Sequence, residues 1–148
     1  MASSGFTPDE WNRINQLNPD DFGLPIRRNN TFVLGTFNLL KLGRADDDRK
    51  QWDFLISICE RFDFLAVQEA MDRLDGLRRL VEGLPSTYRV LVSDTTGQFP
   101  GDPGAYAERL AFLYRHDRVR RDEVASDITY DRSRVLQMLY ENREKWDR

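Results

Sequence analysis

The sequence predicts an α/β fold in which a mixed sheet is flanked by helices. Short apolar runs alternate with segments of helical periodicity, in the order strand, helix, strand, helix, strand, loop, strand. A strand–helix–strand unit requires a right-handed parallel crossover, so the first two strands should be parallel neighbours. The third and fourth strands are close enough in the chain for an antiparallel hairpin with a long tip. The predicted strands span residues 31–39, 63–68, 88–92 and 106–114.

Composition limits the classes of function. The 148 residues suffice for one domain, and 40% hydrophobic with 32% charged residues is ordinary for a globular protein. A net charge of −3 supplies no basic field for non-specific nucleic-acid binding. Cys59 is the only cysteine, which excludes a disulfide framework. The first residues lack a signal-peptide pattern and no apolar run reaches membrane-spanning length, so we expect a cytoplasmic protein.

The ends of the chain read as helical. Thr7, Pro8 and Glu10 form a capping box with a proline at the first helical position, and a loop rich in Pro, Asp and Asn follows. Near the other end, an apolar stripe within residues 131–146 predicts an amphipathic helix. We therefore divide the chain into an N-terminal helix and loop (1–30), a central α/β part (31–119) and a C-terminal helical tail (120–148).

The central part carries the strands and two helices. Its first strand should bury Phe32, Val33, Leu34 and Phe37, and the acidic run 46–48 should open the next helix, because acids favour a helix N-terminus. The compact apolar run of the second strand, residues 64–67, is typical of a strand covered on both faces. The two helices carry apolar stripes at Trp52, Leu55, Ile56, Cys59 and Phe62, and at Leu74, Leu77, Leu80, Val81 and Leu84.

Two polar residues come at the expected ends of the parallel strands, where ligands gather in open α/β sheets. Asn38 ends the first strand, and Glu69 ends the second. If the strands are neighbours, a carboxamide oxygen and a carboxylate converge there. Such a pair suits Mg²⁺ or Mn²⁺, which keep several waters and take substrate phosphate as a further ligand. On spacing alone, ordinary turn or cap residues explain the two positions better.

Three short motifs change that balance. They are Thr36-Phe37-Asn38, Gln68-Glu69 and Tyr106-Ala107-Glu108-Arg109, the last followed by an apolar run. In order and spacing the chain resembles the endonuclease/exonuclease/phosphatase (deoxyribonuclease I-like) superfamily over residues 31–119. The resemblance covers only the N-terminal half of a family member. It therefore implies one half of a four-layer α/β/β/α sandwich.

The resemblance also implies roles for four residues. Asn38 and Glu69 would hold Mg²⁺ or Mn²⁺, with Glu69 as the main metal-binding carboxylate. Tyr106 would contact a substrate phosphate, and Glu108 would orient a catalytic histidine. Family members hydrolyse phosphate esters by metal-assisted attack on phosphorus. The implied substrate is thus a phosphate ester, nucleic acid among the candidates.

The resemblance stops short of a complete catalytic set. The family's Asp-x-Asn pair, catalytic histidines and closing Asp-His are absent, and residues 126–128 read Ser-Asp-Ile. His116 is the only histidine, and eight strand residues at ~3.3 Å each put it about 26 Å from Glu108. We therefore expect an incomplete chain, with little phosphodiesterase activity alone. Arg109 and Arg115 are expected to have ordinary surface roles.

A half-fold has a second consequence. Helices would cover one face of its sheet, and the other apolar face would be left for self-association or a partner. The alternative function is therefore a non-catalytic remnant that binds a partner or a phosphate ligand. A nucleotide-binding domain is disfavoured, because the turn after Gly35 lacks the further glycines that a pyrophosphate requires.

Overall fold

The computed structural model describes residues 6–17, 21, 23–94, 108–122 and 132–146. These residues form an α/β fold with a mixed four-stranded sheet and helices, which confirms the predicted fold class. Within them no helix has the length and apolarity needed to cross a bilayer. The elements are α1 (Pro8–Gln16), β1 (Leu34–Leu42), α2 (Trp52–Cys59), β2 (Phe64–Met71), α3 (Asp75–Gly83), β3 (Tyr88–Val92), β4 (Glu108–Arg115), α4 (Arg132–Glu141) and α5 (Arg143–Trp146).

The strand order is β1-β2-β4-β3. β1 and β2 are parallel neighbours, as the crossover rule predicts, and Leu34 lies opposite Phe64 in their register. β4 runs antiparallel to both β2 and β3, so the predicted β3–β4 hairpin is confirmed. Its long tip, residues 95–107, lies outside the described residues.

The N-terminal helix forms as the capping box predicts. The Thr7 hydroxyl accepts the Glu10 N–H at 3.3 Å, and the Glu10 carboxylate accepts the Thr7 N–H at 2.7 Å. Phe6, just before the helix, meets Phe54 of α2 edge to face, with ring centroids 5.6 Å apart. The capping box and this ring contact together fix where α1 starts and which helix it approaches.

The acidic run 46–48 does not open α2, contrary to the sequence prediction. The helix begins at Trp52, after Gln51. Asp46 instead pairs with Arg44 at 2.8 Å and Asp47 with Arg49 at 2.8 Å, each two residues away in the chain. Local arginines therefore take the carboxylates that would otherwise have complemented the helix dipole, and the run folds as turns.

One face of the sheet forms the core under α2 and α3. Leu65 and Val67 of β2 and Leu113 of β4 are buried there, together with Cys59 and Leu80 from the helices. The packing is close enough that a Cβ on Gly35 of β1 would collide with the Phe62 ring. The Cys59 thiol is buried as predicted, and burial raises its pKa to about 12, so it is not a nucleophile at neutral pH.

The opposite face of the sheet is only partly covered by the residues that the structure describes. Leu34 is 67% exposed and Leu110 is 48% exposed, while Phe64 and Phe112 are half-buried and pack on each other with ring centroids 5.6 Å apart. The predicted burial of Phe32 and Leu34 is therefore wrong, and β2 is fully buried on one face only. Apolar character alone could not distinguish a strand with one covered face from a strand with two.

Candidate functional site

The site lies where the sheet is irregular, beside Glu69. In the β1–β2 ladder Asn38 pairs with Gln68 and the next pair is Leu42 with Ala70, so residues 39–41 stand opposite Glu69 alone. The β2–β4 ladder is interrupted at the same place. The prediction that the strands end at Asn38 and Glu69 is therefore wrong: both strands continue beyond an irregularity. Such bulges re-aim side chains and are frequent beside active sites.

Three residues of this bulge have left-handed backbone conformations. The φ angles are +48° at Leu40, +56° at Lys41 and +56° at Glu69. Each such residue costs about 1–2 kcal/mol relative to the right-handed region unless glycine occupies it. None of the three is glycine, so surrounding contacts must hold the conformation. Backbone strain of this kind clusters at functional sites.

Hydrogen bonds join the two predicted metal ligands. Asn38 Nδ2 donates to Glu69 Oε1 at 2.7 Å, and the Lys41 N–H donates to Glu69 Oε2 at 3.0 Å. The Leu40 N–H donates to Asn38 Oδ1 at 2.8 Å, which fixes the orientation of the amide. The last paired residue of β1 before the irregularity and the unpaired Lys41 thus supply one donor each to the two carboxylate oxygens. The sequence predicted that the carboxamide oxygen of Asn38 would converge with the Glu69 carboxylate. The two side chains do meet, but through the amide nitrogen, while the amide oxygen accepts the Leu40 N–H. The two backbone donors were not predicted.

These contacts keep Glu69 ionised. The Asn38 hydrogen bond, followed by the Lys41 backbone hydrogen bond, lowers the pKa of the partly exposed Glu69 carboxyl. The charges of Lys41 and Lys50 lower that pKa further. Glu69 is therefore a carboxylate at neutral pH, available to a cation that approaches from solvent.

Lys50 is a member of the site that the sequence reasoning missed. Its Nζ donates to the carbonyl oxygen of Leu39 at 2.6 Å and also to that of Leu40. Burial lowers the pKa of Lys50, while the nearby Asp47 opposes that shift. In the sequence Lys50 is one of several charges before α2, and no pattern separates it from a solvated lysine.

The side-chain oxygens of Asn38 and Glu69 are of the kind that a hard cation binds, but they are too few to complete its coordination. A carboxylate offers about four acceptor positions, and the described residues occupy two of those on Glu69, one on each oxygen. Asn38 Oδ1 likewise has one position left. Across the described residues, no three His, Cys, Asp or Glu side chains come together as a metal-binding group. A cation held here would keep water or take phosphate oxygens, as Mg²⁺ does.

The other predicted site residues are placed unequally. Glu108 is the first residue of β4 and pairs with Met71, so it lies at the same edge of the sheet, two residues along β2 from Glu69. Tyr106 lies outside the described residues. His116 is exposed just beyond the other end of β4, as predicted.

The two arginines have structural partners. Arg109 pairs with Asp72 at 2.9 Å and also donates to the Ser93 carbonyl at 2.9 Å. Arg115 lies 3.7 Å from the carboxylate of Asp63 and also pairs with Asp117. Both arginines therefore tie neighbouring segments together, and neither contributes to the Asn38–Glu69 pair.

Comparison with models of known protein families gave no match, and comparison with curated proteins gave none either. The relation to the endonuclease/exonuclease/phosphatase superfamily therefore stays a prediction from the motifs.

Proposed function

We propose that the chain carries the first half of a metal-dependent phosphodiesterase site, with Mg²⁺ or Mn²⁺ at Glu69 and Asn38. The observation that carries the proposal is the contact between these two side chains, 2.7 Å apart on adjacent parallel strands. A second polar contact, Gln68 Nε2 to the Thr36 hydroxyl at 3.2 Å, links the same two sequence motifs. Two of the three motifs behind the family resemblance, residues 36–38 and 68–69, are thus neighbours in the sheet.

Each residue would have one task. Glu69 would supply the charged metal ligand, and Asn38 would orient it while offering its own remaining oxygen lone pair. The cation, when bound, polarises a phosphoryl oxygen of the ester substrate. Glu108 at the start of β4 would orient a histidine, and Tyr106 would contact the phosphate. DNA, RNA and smaller phosphate esters are all candidate substrates.

The set of residues in this chain is incomplete for catalysis. The family's general acid or base is a histidine, and His116 is the single histidine, placed beyond the far end of β4. Loss of a positioned general acid or base typically costs about 10²–10⁴-fold in rate. We therefore expect metal binding to be measurable and phosphodiesterase activity of the chain alone to be weak.

Calorimetric titration with Mn²⁺ tests the metal site. The wild-type chain should bind, and Glu69→Gln should weaken binding at least about tenfold, because it removes the charged ligand and keeps the side-chain size. Glu82→Gln, on the exposed side of α3, is the matched control and should bind like wild type. A folded wild-type chain that binds no Mn²⁺, or equal binding by wild type and Glu69→Gln, would overturn the proposal.

The open sheet face supports the second candidate, a binding module whose partner is another β-sheet. Leu34, Leu110 and the Phe64–Phe112 pair present a continuous apolar surface. Sheets bury such faces by packing at about 10 Å on a second sheet, which would complete a four-layer α/β/β/α arrangement. The second sheet would come from a second copy of this chain.

The mass of the particle in solution tests this face. Light scattering after gel filtration should show dimers or larger species for wild type, and monomers for Leu110→Lys. Ile26→Lys, at an exposed apolar residue outside the sheet, is the control and should leave the mass unchanged. A wild-type chain that stays monomeric and neither binds the dye ANS nor aggregates would argue against an apolar face that needs a partner.

A further inference from the structure

The side chain of Lys50 reaches from the segment before α2 to the backbone of the bulge. Its ammonium contacts the carbonyl oxygens of Leu39 and Leu40. In the register with β2 these two residues have no partner, because the ladder passes from Asn38 directly to Leu42. Lys50 thus supplies hydrogen bonds at a stretch of backbone where the sheet ladder supplies no register partner.

The position costs Lys50 part of its hydration. The residue is half-buried, and burial lowers its pKa, whereas a lysine ordinarily keeps its ammonium in water. By contrast, the neighbouring Lys41 is exposed and contributes its backbone N–H, not its ammonium, to Glu69. Both lysines therefore place a positive charge near Glu69. The Lys50 ammonium contacts backbone carbonyls of the bulge, whereas Lys41 contacts Glu69 through its backbone N–H.

We propose that Lys50 is a positioning residue of the Asn38–Glu69 site: its ammonium, held by the Leu39 and Leu40 carbonyls, keeps the bulge left-handed. That conformation directs the Lys41 N–H onto Glu69 Oε2. The inference rests on the proposed function in one respect, namely that the site binds a metal. The contacts of Lys50 with the bulge are present without one. In this role Lys50 acts through the backbone of residues 39–41 and would not itself be a ligand of the cation.

NMR on Lys50→Met tests the proposal against a matched charge control, Lys41→Met. Both variants remove one positive charge near Glu69. With Lys50→Met, hydrogen exchange at the Lys41 amide should accelerate about tenfold, the loss expected for contacts to a charged group. The carbonyl ¹³C signals of residues 39 and 40 should shift. With Lys41→Met, exchange at amide 41 and both carbonyl signals should stay close to wild type.

A second variant covers the case in which Lys50→Met unfolds or perturbs the chain generally. Glycine occupies the left-handed region without steric cost, and Leu40 is 71% exposed, so Leu40→Gly removes little packing. Adding Leu40→Gly to Lys50→Met should restore most of the protection at amide 41. A double variant as unprotected as the single one, or a Lys50→Met chain with wild-type exchange and carbonyl shifts, would overturn the positioning role.

Mn²⁺ titration of the same variants separates this proposal from the proposed function. Loss of a lysine charge favours cation binding, so Lys41→Met should bind Mn²⁺ somewhat more tightly than wild type. Lys50→Met should bind about fivefold more weakly than Lys41→Met, the factor expected for about one hydrogen bond of orientation. Equal affinities in the two variants would count against positioning. Absence of Mn²⁺ binding in all variants, with the NMR differences intact, would remove the metal proposal and leave the structural role of Lys50 standing.

Discussion

The two ends of β2 each carry a carboxylate, and their surroundings are opposite. Asp63, just before the strand, is fully buried, and its Oδ1 faces Arg27, Arg115 and Arg118 at 3.4, 3.7 and 3.8 Å. Glu69, near the other end, is partly exposed and accepts hydrogen bonds from an amide side chain and one backbone N–H. The same chemical group is thus enclosed by arginines at one end of β2 and partly exposed to solvent near the other.

The arginines around Asp63 also donate hydrogen bonds to other segments of the chain. Arg27 donates to the Tyr88 hydroxyl at 3.0 Å, and Arg118 donates to the Asn29 carbonyl at 3.2 Å. Asp63 Oδ2 accepts the Val33 N–H at 2.8 Å. The cluster therefore ties the segment before β1, the start of β2 and the end of β4 together. Removing one partner from a buried charge cluster leaves the other charges without compensation, which is strongly destabilising.

Asp63→Ala should be the most damaging substitution at either end. It leaves three arginines without their shared carboxylate and the Val33 N–H without its acceptor, which costs about 3–5 kcal/mol of unfolding free energy. Urea unfolding followed by circular dichroism measures the loss. Asp63→Asn keeps an oxygen for Val33 and should lose less. A loss of unfolding free energy below about 1 kcal/mol in Asp63→Ala would show that the cluster contributes little to the stability of the fold.

Tyr88→Phe should have an intermediate effect at the same end. The Tyr88 hydroxyl lies 2.7 Å from the Glu60 carbonyl and 2.8 Å from the Phe62 carbonyl, and it accepts from Arg27. Its removal should cost about 1–2 kcal/mol in the same urea experiment. Tyr114→Phe, on the open face, is the control and should change the midpoint little. Equal losses in both variants would contradict the assignment of Tyr88 to the cluster.

Glu69→Gln should have the smallest effect on stability, and that effect should depend on pH. Because its folded pKa is lowered below the ordinary 4.5, Glu69 contributes stability above that pH, and the contribution is lost as pH falls through the lowered value. The difference between wild type and Glu69→Gln, followed by urea midpoints from about pH 7 to pH 3, should shrink on acidification.

The cause of that pH dependence can be tested separately. The Asn38 hydrogen bond contributes most to the lowered pKa of Glu69, so in an Asn38→Ala background the dependence should weaken. A difference that grows in acid, or one that Asn38→Ala leaves unchanged, would contradict the account of the contacts at Glu69. The contacts at Glu69 would then give no support for a ligand-binding role at this end of β2.

The sequence predicted that Asn38 and Glu69 come together, but the backbone expected around them was wrong. Asn38 and Glu69 were expected at strand ends, because polar residues after apolar runs usually terminate a strand. The structure instead continues both strands past a bulge, in which Leu40 is left-handed. No local sequence pattern in residues 38–41 predicts this left-handed conformation, because glycine, its usual signal, is absent there.

Asp63 and Lys50 were missed for a related reason. Each lies in a charged or mixed stretch where solvation is the ordinary outcome. The partners of Asp63 come from residues near 27 and from 115 and 118, and those of Lys50 from β1. Long-range pairing of this kind leaves no periodic pattern in the chain.

By itself the sequence determined the α/β class, the parallel β1–β2 pair, the β3–β4 hairpin and the capped first helix. Those features follow from apolar periodicity, connection length and local capping, which act over a few residues. Only the tertiary structure decided which face of the sheet is covered, where the ladder bulges and which charges are buried. These depend on contacts between segments far apart in sequence, and the left-handed turn beside Glu69 persists because such contacts, with Lys50 and β2, hold it.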